Sequence, residues 1–151
     1  MNLSLISQKP SSPTTLGVLA ALRAASEESD YVTEVRVAQP QQWQPSKDEA
    51  AILLLEEEGA AWPVPLWPAG GSALGLPVLP LLVHRQYEHT PQGPDVRDPH
   101  FYFVSNGILL DEAELADPAC SLVLQSKFES YFPLLSRLIL LRQRQPGGLS
   151  S

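Results

Sequence analysis

Residues 31–37 alternate along their whole length, with Tyr31, Thr33, Val35 and Val37 on one side and Val32, Glu34 and Arg36 on the other. A period of two is the pleat of a half-buried strand. Pro40 and Pro45 close it, with Trp43 between them. Upstream, Val18, Leu19, Leu22 and Ala25 recur at the spacing of one helix face. Thr14 or Thr15 is placed to cap that helix by accepting from its first-turn N–H groups. Residues 1–13 are largely polar and end in Pro10, Ser11, Ser12 and Pro13, the pattern of a flexible arm.

Two readings compete over 46–59. Ser46 and Glu49 match the S-x-x-E capping box and Gly59 is a normal helix stop. Against a helix, Glu56, Glu57 and Glu58 would crowd its negative end, and the apolar run 51–55 suits a strand after a short turn. Residues 60–80 hold Pro63, Pro65, Pro68, Pro77 and Pro80, which exclude regular helix. Their apolar side chains, Trp62, Leu66 and Trp67 among them, are too many for a solvated loop. Such a chain lies extended against its own core or a neighbour.

Residues 81–87 read as a strand and 90–99 as a polar loop. In 101–110, Phe-Tyr-Phe-Val-Ser is followed by Asn106-Gly107 and Ile-Leu-Leu, the pattern of a two-residue type I′ hairpin. That turn sets Val104 opposite Leu109. Residues 121–131 read equally as helix or strand. Pro133 fits the first turn of a final helix that runs to about Gln145. Leu134, Leu135, Leu138, Ile139 and Leu141 cover most of its circumference, so burial on more than one side is expected. Pro146 onward reads as a disordered tail. Together these elements predict one α+β domain over 14–145, with a mostly antiparallel sheet and an N-terminal and a C-terminal helix packed on one face.

Composition narrows the functional classes. A chain of 151 residues with 44% hydrophobic residues is long enough for one core. A net charge of −7 argues against a general nucleic-acid binder, which needs a Lys/Arg excess. One cysteine makes neither an internal disulfide nor a Cys-type zinc site. The longest apolar runs fall well short of the roughly 20 residues that span a bilayer. A location in the cytoplasm or within a virion-like particle is therefore expected, with no membrane partner.

The chemistry-bearing residues form no standard constellation. His84, Glu88 and His89 miss both zinc-protease spacings, and histidines five apart diverge on a helix and oppose each other on a strand. His100, Asp95 and Asp98 sit in or beside a turn-rich loop, where Asp is common for conformational reasons alone. Cys120 has apolar neighbours and reads as an inert thiol. The glycines at 70, 71 and 75 lead into Leu76-Pro77, so no helix opens there to receive a phosphate.

The pattern predicts a non-enzymatic structural, assembly or adaptor subunit acting through protein–protein contacts, without cofactor or metal. Trp62, Leu66 and Trp67 are the expected apolar anchors of its interface. Arg137, Arg142 and Arg144 form a basic face that suits head-to-tail pairing with the acidic run 56–58. The element order is compatible with small connector or tail-terminator subunits of phage-like particles. The alternatives are a small enzyme whose site gathers dispersed His and Asp residues, and an acidic immunity- or chaperone-type protein for a basic partner.

Overall fold

The computed structural model describes residues 1–56, 75–84, 101–105 and 107–144. Six strands make one sheet: β1 (Asn2–Ser7), β2 (Glu34–Ala38), β3 (Glu49–Leu55), β4 (Leu76–His84), β5 (Phe101–Phe103) and β6 (Ile108–Asp111). Helices α1 (Pro13–Glu27) and α2 (Pro118–Gln143) accompany them. The spatial order is β2-β1-β3-β4-β5, with β6 also beside β4. Every pairing among the described residues is parallel. The sheet is therefore parallel α/β, which corrects the expected antiparallel α+β arrangement. Parallel sheets are covered on both faces, so their strands are apolar throughout rather than alternating. β3 and β4 show this, each buried along its whole length.

Residues 1–13 are not an arm. β1 lies between β2 and β3, with Leu3 paired to Val35 on one side and Ala50 on the other. Leu3 and Leu5 join the core beneath the helices, while Ile6 enters the core on the opposite face. Two buried serines, Ser4 and Ser7, gave the strand its polar look.

The predicted hairpin does not form. β5 and β6 both run parallel to β4, β5 along Leu76–Val78 and β6 along Leu81–His84. Gly107, just before β6, takes φ +132°. The positive φ that the Asn-Gly pair signals is thus found ahead of a strand that continues along the same edge of β4, not in a hairpin turn. The interruption between β5 and β6 also explains how a proline sits inside β4. Val78 and His84 turn their carbonyls to the β5/β6 side, accepting from Val104 and Glu112. Pro80 has the same parity, so the N–H it lacks faces the gap where β5 has ended and β6 has not begun. Pro77 stands just ahead of the first β3–β4 pair, Ala51 with Val78.

One core joins α1, α2 and the sheet, through Val18, Leu22, Phe128, Phe132 and Ile139 against Leu5, Ile52 and Leu81. On the other face Trp43 packs with Ile6, Leu53, Val78 and Phe101, its ring stacked on Phe101 at 6.2 Å. Ser12, rather than Thr14 or Thr15, caps α1, accepting from the Thr15 N–H at 3.0 Å. α2 begins at Pro118, with Asp117 as its cap, and not at Pro133. Pro133 lies inside the helix, where an interior proline costs about 3 kcal/mol. The buried stripe Leu124, Phe128, Phe132, Leu135 and Ile139 runs through it unbroken, and that packing carries the helix past the defect.

Candidate functional site

In open parallel sheets a ligand sits at the carboxyl ends of the strands where the order reverses. Here that place lies between β1 and β3, whose neighbours lead outward in opposite directions. Ser7 ends β1, Ser12 and Thr15 open α1, and Glu56 follows β3. Their side chains bond to one another. The Ser12 hydroxyl donates to Glu56 Oε1 at 2.7 Å. Thr15 Oγ1 lies 2.8 Å from the Lys9 carbonyl and 3.0 Å from Glu56 Oε1, so its single proton is shared between two acceptors. Ser7 Oγ is 2.9 Å from Thr15 Oγ1 and accepts from the Lys9 N–H at 3.1 Å.

A helix N-terminus favours negative charge, and at α1 the chain supplies its own. The Glu56 carboxylate, bonded to the Ser12 and Thr15 hydroxyls, stands beside the first turn of α1. A phosphate or carboxylate ligand there would meet like-charge repulsion.

A second polar cluster lies at the amino ends of the strands. Glu49 is only 3% exposed, and the Trp43 indole N–H donates to its Oε2 at 2.8 Å. Burial pushes the Glu49 carboxyl above its ordinary value. Hydrogen bonds from Trp43 and Ser4, and the charge of Arg36, oppose that rise. Arg142 is half-buried at the end of α2; desolvation lowers its guanidinium and the Glu49 charge opposes the change. Beside it, Gln143 donates to the Lys47 carbonyl at 3.3 Å and to the Asp48 carboxylate. These bonds tie the end of α2 to the start of β3.

The outer face of α2 is different in kind. Leu122, Val123, Leu134, Leu140 and Leu141 are 66%, 55%, 42%, 48% and 46% exposed, so one side of the helix is open, where burial on more than one side was expected. Arg137 and Arg144 are exposed too. At 100° per residue these seven side chains share an arc of about 120°, with Ser126, Ser130 and Pro133 between them. The structure therefore separates the three predicted arginines: Arg137 and Arg144 lie on this face, and Arg142 points toward Glu49. Of the acidic run, Glu56 is engaged with Ser12 and Thr15, and residues 57 and 58 lie outside the described residues. Trp62, Leu66, Trp67, His89, Asp95, Asp98 and His100 also lie outside them.

Of the histidines in the dispersed set, His84 is buried at the carboxyl end of β4. Cys120 lines a cleft of about 120 Å³ between β6 and the start of α2, with Leu109, Leu115, Val123 and Lys127. Desolvation, then the charges of Asp117 and Glu114, raise its thiol, the reverse of what a nucleophile needs. Among the described residues no group of three or more His, Cys, Asp or Glu side chains is arranged to hold a metal. Nor is any described helix long and apolar enough to cross a membrane.

Sequence reasoning missed the crevice network and the α2 face. Ser12 before Pro13 was the available signal for the first. For the second it was the spacing of Leu122, Val123, Leu140 and Leu141, which a helix broken at Pro133 concealed. No protein-family model, curated protein or solved structure matches the chain.

Proposed function

We propose that this protein is a non-enzymatic assembly or adaptor subunit, with the outer face of α2 as its contact surface. The observation that carries the reading is the set of large apolar side chains left in water along one arc of a 26-residue helix. Leaving them there forgoes burial worth about 25 cal/mol per Å², which a partner laid along this arc would recover. The Glu56 carboxylate beside the first turn of α1 supports the same reading, since a small anionic substrate at the switch point would meet its negative charge.

Photocrosslinking in the producing cells tests it. A photoreactive residue at Leu134 or Leu141 should give discrete protein adducts, and one at Arg23 on α1 should not. Equal, diffuse labelling at all three positions would overturn the assignment of α2.

A further inference from the structure

Resting on the assignment of α2 as the contact surface, we infer that its occupant is a second copy of this chain, docked α2 to α2 and antiparallel about a two-fold axis. Leu122 and Leu140 are about five helical turns apart at 3.6 residues per turn, as are Val123 and Leu141. Each pair therefore shares one azimuth, and both apolar ends face the same way. Turning a second α2 end for end about its midpoint, near Ser130, lays Leu140 and Leu141 of one copy on Leu122 and Val123 of the other. The reciprocal contact forms at the opposite end, as an isologous interface requires. The middle of the face carries Ser126 and Ser130, small enough for the backbones to approach.

Charge selects the antiparallel arrangement over the parallel one. Asp117 caps the start of α2 and Glu114 lies in the turn before it; both are exposed. Arg144 caps the other end. Antiparallel docking brings Arg144 of each copy to the acidic end of its mate and opposes the two helix dipoles. Parallel docking stacks arginine on arginine and acid on acid. A helix of this length extends about 39 Å, so the helix pair alone is smaller than a standard interface. The dimer is accordingly reversible and dependent on concentration.

Sedimentation and disulfide crosslinking of the full chain in a Cys120→Ser background test this. Sedimentation should show a monomer–dimer equilibrium that Leu134→Asp with Leu141→Asp abolishes, with the far-UV spectrum unchanged. Ser130→Cys, close to the axis, should crosslink to itself. Leu140→Cys alone should not, because its two copies stand about 27 Å apart at 1.5 Å per residue, whereas a mixture of Leu122→Cys and Leu140→Cys chains should. Arg144→Glu should weaken the dimer about two- to tenfold, and adding Glu114→Arg should restore it. Self-crosslinking at Leu140→Cys would overturn the antiparallel arrangement. A monomer at every concentration, with photocrosslinks from α2 to a different protein, would overturn the second copy as occupant while the contact surface stands. A dimer indifferent to the two aspartates would overturn α2-to-α2 docking, and absence of photocrosslinks from α2 would overturn the contact surface itself.

Discussion

Replacing Trp43 by Phe isolates one hydrogen bond to a buried charge. The indole is 2% exposed, stacks on Phe101, and donates to Glu49, itself 3% exposed. The smaller ring forfeits about 40 Å² of buried apolar surface, about 1 kcal/mol, whatever the state of Glu49. The lost donor is worth about 1.5–3 kcal/mol when the acceptor is charged and about 0.5–1.5 kcal/mol when it is neutral. Trp43→Phe should therefore cost about 3 kcal/mol in the native background and about 2 kcal/mol in a Glu49→Gln background, where the acceptor persists without its charge. Urea unfolding of the four chains, followed by far-UV circular dichroism at pH 8.5, measures the cycle without relying on indole emission. Additive costs, within about 0.5 kcal/mol, would refute a charge-assisted bond at this position.

The raised Glu49 carboxyl predicts a pH dependence of defined sign. The folded chain holds this proton better than the unfolded chain, so its stabilisation is whole below the ordinary value of 4.5 and is lost as pH rises through the raised folded value. Glu49→Gln should remove that fall, and stability curves of the two chains should diverge across this interval and then run parallel. Ser12→Ala should cost about 1–2 kcal/mol by urea unfolding, through the lost α1 cap. Ser12→Asp, an equally good cap on helix grounds, should be worse than Ser12→Ala because its carboxylate would face Glu56. Gly107→Ala should destabilise by about 1–3 kcal/mol in thermal melts, since its φ is +132° and a Cβ there stands 2.9 Å from Leu82 Cδ1.

Local patterns made α1 and β2 legible, because the period of their apolar positions is set by the element itself, whereas β3 offered only an apolar run that competed with a helix reading. The direction of strand pairing has no such local signature. A run such as Ala51 to Leu55 is compatible with either neighbour direction until its companions are known, although burial on both faces favours a parallel sheet. Asn106-Gly107 misled for a related reason: the dipeptide reports a backbone conformation, and the approach to β6 uses that conformation as readily as a turn. Pro133 misled because helix propensity is a weak prior beside a continuous buried stripe. Of the predicted interface, Arg137 and Arg144 are placed on an exposed apolar face, while Arg142 is half-buried on the inner side of α2, a difference that only the helix register reveals.

The central position of β1 has a consequence for how the chain comes together. Its ladder partners begin at Glu34 and Glu49, so β1 cannot be paired on both edges until β3 has emerged. Loop-closure entropy is spent before these non-local pairings return anything, and parallel strands form slowly for that reason. Leu3, Leu5 and Ile6 remain exposed through that interval. During synthesis β1 is therefore an apolar strand with two open edges, and the finished molecule closes both.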